Sequence, residues 1–292
     1  MAGFCGHQFN FLGLSDDESV YDKSRFVILP VPYEQTTTFG KGTADGPRAI
    51  ISASHEVELF DDELLSEPYH AGIHTLPEME ITASGPEKMT ESIYKNSLPL
   101  IENGKIICML GGEHSISSGL VQAYHEKYPS LSVLQFDAHA DLRETYQGQR
   151  FSHACAMKRI RDYVDKTAGI GIRNYSKEEY ELIQKDNIPI VSGSELDMPD
   201  KWLDDILSYL TDDIYITIDC DFFDPSLMPG VGTPEPGGGR WYPTLNILKA
   251  VAKRKNIVGF DVVELMPIPG SLVSEFTAAR LIYKLIGYIT EL

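Results

Sequence analysis

Leu131-Ser132-Val133-Leu134-Gln135-Phe136-Asp137-Ala138-His139-Ala140-Asp141 is an apolar run that ends in three metal-capable side chains. The run Leu131 to Gln135 reads as a buried strand, too short for a helix and rich in aliphatic residues. On an extended chain, residues i, i+2 and i+4 share a face. If that geometry continues past Phe136, Asp137, His139 and Asp141 point at one spot. Two carboxylates and an imidazole held together away from water need a cation between them, because burying unpaired charge is costly. The alternative for the hexapeptide alone is a strand end running into a solvated polar loop.

Outward from this stretch, short apolar runs alternate with helical patterns, which argues for βαβ units around a parallel sheet. Strands are expected at residues 26–32, 105–110, 168–172, 188–191, 214–218 and 257–263. Helices are expected at 47–58, 87–101, 115–128, 152–163, 199–210, 243–255 and from Ser274 onward. Pro47 suits a first helical turn, Pro99 threatens to end its helix early, and Ser176 with Glu179 three residues on forms a capping box. No repeat, low-complexity tract or linker-like shift interrupts the chain, so residues 1–292 read as a single catalytic-sized domain.

Hydrophobic residues make up 42% of the chain and charged residues 23%, as expected of a chain that builds a core. A formal net charge of −18 disfavours nucleic acid and anionic membrane, and favours small cationic ligands. The four cysteines, Cys5, Cys108, Cys155 and Cys220, show no CxxC pair, so neither a disulfide framework nor a zinc knuckle is indicated. Cys108 and Cys220 read as small buried hydrophobes. Met1 to Gly6 lack a basic stretch followed by an apolar core, and no run approaches a membrane span. A cytoplasmic protein is expected.

Four polar clusters follow strands, where ligands bind in open parallel sheets. They are Gly111-Gly112-Glu113-His114-Ser115, the opening hexapeptide, Asp219-Cys220-Asp221, and Glu264. Each is weak alone. Together, His114, Asp137, His139, Asp141, Asp219 and Asp221 supply four carboxylates and two imidazoles, more than one first-row ion takes while keeping an open position. Two ions sharing carboxylates suit the set. Oxygen and nitrogen donors without thiolate favour Mn²⁺, with Zn²⁺, Ni²⁺ and Co²⁺ compatible on ligand type. Such a pair orients a shared water and lowers its pKa, which points to metal-assisted hydrolysis.

These motifs resemble the ureohydrolase family, which includes arginase and agmatinase. The resemblance runs through Gly111 to Ser115, Phe136 to Asp141, Ser152-His153, Asp219 to Pro225 and Pro229 to Gly238, with Gly42 to Arg48 upstream, and covers roughly residues 25 to 290. It is nearest the agmatinases. The resemblance implies a three-layer α/β/α sandwich with a mainly parallel central sheet. It also implies two Mn²⁺ per subunit, assembly as trimers or hexamers, and cleavage of a guanidinium group to urea and an amine. The family's ligands fall on the same six residues. Asp141 matches the residue that touches the attacking hydroxide and passes its proton on, and His153 matches the proton-shuttling histidine. Glu264 matches the glutamate that pairs with the flat guanidinium fork, and Thr233 matches a residue near the substrate nitrogens.

Two departures narrow the substrate. The loop Leu142 to Phe151 lacks the Asn/Ser pattern with which arginases hold an α-carboxylate and α-amine, which argues against arginine. The residue after His153 is Ala154, where many relatives have Gly. Agmatine fits, with putrescine and urea as products, and Glu144, Glu178 or Glu179 are candidates for its distal ammonium. Aminopropylagmatine fits nearly as well. Guanidinobutyrate or arginine turnover, a one-zinc deacetylase of similar fold, and a silent binding protein are the remaining readings. The complete two-metal set argues against the last two.

Overall fold

A computed structural model describes residues 9–292, so Cys5 and the reading of Met1 to Gly6 lie outside the described residues. Eight strands form one sheet: β1 (Phe26–Val31), β2 (Ile73–Thr75), β3 (Ile106–Gly111), β4 (Ser132–Phe136), β5 (Lys166–Ile172), β6 (Ile190–Ser192), β7 (Asp213–Asp219) and β8 (Asn256–Val263). The spatial order is β2-β1-β3-β8-β7-β4-β5-β6, and every pairing is parallel. The strands are buried almost end to end, as a parallel sheet covered on both faces requires.

Eight helices supply the cover: α1 (Gly46–Ser54), α2 (Pro86–Glu102), α3 (Ser117–Lys127), α4 (Ala156–Ile160), α5 (Lys177–Asp186), α6 (Leu203–Tyr209), α7 (Trp241–Arg254) and α8 (Val273–Glu291). Alternate residues of each strand serve opposite faces. Cys108, Leu110, Ile216 and Phe260 pack with Ile50, Ile206, Leu248 and Ile282, under α1, α6, α7 and α8. Ile107, Met109, Val133 and Tyr215 pack with Ile93, Leu120, Met157 and Ile183, under α2 to α5. The result is the expected three-layer α/β/α sandwich, with a sheet that is wholly parallel rather than mainly so.

Several local expectations shift. β2 has only three residues, too few for a period to show, and exists through its pairing with β1, Phe26 opposite Ile73. α2 runs through Pro99. That residue lies in the last turn, where Asn103 N–H still donates to its carbonyl at 3.2 Å, and inward Met89, Ile93 and Ile101 hold the helix to the core. The helix expected over 152–163 is a 3₁₀ turn, His153–Cys155, followed by the short α4. Cys155 at φ −121°, ψ 5° breaks the two apart, which leaves His153 at the start of a turn facing the site. The 199–210 helix is likewise split, at Trp202 (φ −138°), into a 3₁₀ turn and α6. No described helix is long and apolar enough to cross a membrane.

Candidate metal centre and active site

The four polar clusters follow β3, β8, β7 and β4, which are consecutive in the sheet. Their carboxyl ends therefore present His114, Glu264, Asp219 with Asp221, and Asp137 to Asp141 side by side. The extended geometry assumed for the opening stretch does not hold. β4 stops at Phe136, and Asp141 takes a left-handed backbone at φ 53°. Convergence is achieved by a loop stitched to β5. Asp137 N–H donates to Ile170 O, and Ala138 O accepts from the N–H groups of Arg173 and Asn174. Gly171, at φ 91° in a bulge of β5, makes room: a Cβ there would lie 2.5 Å from the Phe222 ring and 3.1 Å from Asp137 O.

His114 Nδ1 lies 3.2 Å from Asp137 Oδ2, 3.1 Å from Asp141 Oδ2 and 3.4 Å from Asp219 Oδ2. His139 Nδ1 lies 2.9 Å from Asp221 Oδ2 and 3.7 Å from Asp137 Oδ1. Two ligand groups result, His114-Asp137-Asp219 and Asp137-His139-Asp221, joined through Asp137. Asp141 adjoins the first. All but His139 are buried. Burial, with Asp221 and Asp137 beside it, pushes Asp219 well above the ordinary carboxylate range, and burial with Asp137 raises Asp141 to about 7. Burial favours neutral His139, but Asp137 and Asp221 override it and raise the imidazole to about 12.

His114 carries the test of fit. Its Nε2 is 2.9 Å from Thr217 Oγ1, whose hydroxyl donates to Asp261 Oδ1 at 2.6 Å. The hydroxyl hydrogen is thus spent on Asp261, and the imidazole must carry its own hydrogen on Nε2. In the neutral ring the buried Nδ1 then holds a lone pair and faces three carboxylate oxygens. A divalent cation takes up that lone pair and the three oxygens together; without one, and against burial, Asp137, Asp141 and Asp219 raise the His114 pKa well above the ordinary range.

The remaining residues line a cleft of about 190 Å³ above this centre, with His139, Asp141, His153, Thr233 and Glu264 in its wall. Thr233 Oγ1 donates to Asp221 Oδ2 at 3.0 Å. Glu264, also left-handed at φ 62°, accepts the His114 backbone N–H on Oε1 at 2.7 Å. Burial raises its pKa well above the usual range, which primes it for a cationic partner. His153 is half-buried, and that burial lowers its pKa.

The three acids considered for a distal ammonium are mostly engaged elsewhere. Glu144 pairs with Arg150 at 3.0 Å and with buried Arg159 at 3.1 Å. Glu179 lines the cleft wall but is buried, caps α5 through the Ser176 N–H, and accepts Leu142 N–H at 2.9 Å. Glu178 lies in a separate groove beside Leu142 and Lys158.

Other supporting residues were not legible as such. Gln135 Nε2 donates to Asp137 Oδ2 at 2.8 Å. Arg173 donates to five backbone carbonyls, those of Gly171, Asp221, Phe222, Glu235 and Pro236, and so ties the Asp221 turn to the Thr233 loop. Asp261 and Thr217 had a usable signal, since each is a polar residue inside an apolar strand.

Known proteins carry the same architecture. The Arginase family profile matches residues 24–287. The chain is 39% identical over 278 residues to N(1)-aminopropylagmatine ureohydrolase of Synechocystis sp., covering 93% of this chain and 91% of that protein. It is 32% identical over 273 residues to agmatinase of Pyrococcus horikoshii, covering 90% and 91%. The crystal structure of agmatine ureohydrolase of Thermoplasma volcanium matches with a TM-score of 0.86 at 27% identity, covering 94% of this chain and 93% of that one. The chain belongs to the arginase family, as a ureohydrolase of the agmatinase type, a hydrolase of linear amidines.

Proposed function

We propose that this protein hydrolyses the guanidinium group of a cationic, carboxylate-free aminoalkylguanidine, with N1-aminopropylagmatine preferred over agmatine. The observation that carries the reaction is the set of four aspartates and two histidines, buried except for His139, beneath a cleft that also holds Glu264 and His153. The sequence reading put agmatine first. The higher identity to an aminopropylagmatine ureohydrolase, 39% against 32% for an agmatinase, supports the longer tail.

His114, Asp137 and Asp219, with Asp141 alongside, would hold one Mn²⁺, and Asp137, His139 and Asp221 the other. Bound there, the two cations would neutralise the carboxylates and supply an oriented water of lowered pKa. Glu264 pairs with the substrate guanidinium and holds its plane across the cleft. Water oxygen adds to the guanidinium carbon while Asp141 receives the proton released. The bond from that carbon to the alkylated nitrogen then breaks. That nitrogen leaves as an amine only once protonated, and in this reading His153 delivers the proton. Thr233 steadies Asp221 through its hydroxyl.

Residues 1–292 act in this proposal as a single catalytic domain, in a homotrimer or homohexamer that light scattering would size. The cytoplasm is its proposed compartment, in keeping with free, buried Cys108, Cys155 and Cys220. Urea release with Mn²⁺ from aminopropylagmatine, agmatine, guanidinobutyrate and arginine tests the reading. The highest kcat/KM is expected for aminopropylagmatine. Preference for agmatine would reverse the ranking of substrates, and no urea from any of the four would sink the assignment.

A further inference from the structure

His153 has a supporting network that its role as a proton carrier does not by itself require. Glu113 is fully buried and acts as a hub. Its Oε2 accepts the backbone N–H groups of Gln35 at 2.6 Å and Thr36 at 2.5 Å. Its Oε1 accepts the hydroxyls of Ser115 at 2.6 Å and Thr36 at 2.8 Å. Four donors satisfy an ionised carboxylate, which has no hydrogen to give. The loop carrying Thr36 is thereby pinned against the end of β3.

Thr36 then meets His153 twice. Its Oγ1 accepts the His153 backbone N–H at 3.0 Å and lies 3.2 Å from Nδ1 of the ring. A threonine hydroxyl has one hydrogen and two lone pairs. With the hydrogen committed to Glu113, only lone pairs face His153, so the ring nitrogen on that side must be the donor. Ser152 Oγ, 3.3 Å from the same Nδ1, has a free rotor and can accept as readily as donate, so it does not oppose this. The Tyr146 ring meets the imidazole edge-to-face at 5.8 Å and holds its tilt.

We propose that Thr36 is a positioning residue, which with Glu113 holds neutral His153 as the Nδ1–H tautomer and so leaves a lone pair on Nε2 for the cleft. The kinetic consequence rests on the functional reading above; the tautomer does not. A proton carrier whose cleft-side nitrogen already bears hydrogen cannot pick up a proton there, so the wrong tautomer slows proton transfer without weakening substrate binding.

Long-range ¹⁵N–¹H correlation of the imidazoles, in protein loaded with diamagnetic Zn²⁺, reads the tautomer directly, with His153 assigned from its loss in His153→Asn. The Nδ1–H form is expected in the wild type and in Thr36→Ser, and loss of that preference in Thr36→Val. With Mn²⁺, Thr36→Val is expected to lower kcat about tenfold to a hundredfold. KM should stay within about twofold and metal content should not change, while Thr36→Ser recovers most of the rate. An Nε2–H wild-type ring, or a Thr36→Val ring still in the Nδ1–H form, would overturn the proposal. If the wild-type enzyme releases no urea, the functional reading fails and the tautomer spectrum alone decides this one.

Discussion

Two residues of the centre adopt backbone conformations that L-residues seldom take. Asp141 and Glu264 sit at φ 53° and 62°. Asparagine and aspartate tolerate the left-handed region best among non-glycine residues, which makes Asp141→Asn a clean test. The variant keeps shape and backbone preference and removes the negative charge and the capacity to accept a proton. Turnover is expected to fall by about a thousandfold or more, with a thermal transition within a few degrees of the wild type by scanning fluorimetry. Near-normal urea release would contradict the role given to Asp141. At this scale the sequence was most informative about chemistry and least about conformation. The donor types of Asp137, His139 and Asp141 were plain, whereas the break after Phe136 depends on hydrogen bonds to Ile170, Arg173 and Asn174, residues more than thirty positions away.

At the scale of elements, the end of β3 is where backbone crowding is greatest. Gly112 is followed by Glu113 and His114, and a Cβ on it would lie 2.0 Å from Tyr33 O, a backbone atom that cannot step aside. The Gly-Gly pair therefore serves close approach of two chain segments rather than a left-handed turn, since neither Gly111 nor Gly112 has a positive φ. Gly112→Ala is expected to cost about 3 kcal/mol in urea unfolding through this overlap. It should also loosen Mn²⁺ binding, because His114 moves with the strand end. A variant as stable as the wild type would mean that the Tyr33 segment yields easily. Strand placement was readable from apolar spacing except at the three-residue β2, and helix placement was largely so except at α4 and α6. Both fall where a 3₁₀ turn and a bent residue set the helix start, which composition does not encode.

Across the whole molecule, charge decides two further properties. Removing metal with chelator should lower the melting temperature by several degrees, since a ligand at a hundred times its Kd stabilises the folded state by about 2.7 kcal/mol per site. An unchanged transition with and without Mn²⁺ would sink the two-metal reading. Glu63 joins α7 and α8 to the loop between α1 and β2, accepting from Lys249 at 2.7 Å, Lys284 at 3.3 Å and Tyr288 at 2.6 Å. Partial burial opposes its charge, but those three donors prevail and hold it at about 2. A depressed carboxylate binds fewer protons folded than unfolded. Its stabilisation is therefore present above the unfolded value, roughly pH 4.3, and is lost as pH falls towards 2. Wild type should exceed Glu63→Gln by about 1 kcal/mol at pH 7, with the gap closing between about pH 4.5 and 2 in denaturation curves. A gap independent of pH would show that the carboxylate charge contributes nothing.

The amino-acid sequence alone determined the alternation of strands and helices, the donor chemistry of the centre, and the position of each donor at or just past a strand end. Those features are local, set by side-chain period over a few residues and by the type of each donor atom. Only the tertiary structure decided that β3, β8, β7 and β4 lie next to one another, so that donors spread from His114 to Glu264 share one cleft. It likewise decided that Thr36 reaches both Glu113 and His153. Parallel strands are joined by long crossovers, and their order depends on how helices pack over both faces of the finished sheet, which no local pattern records.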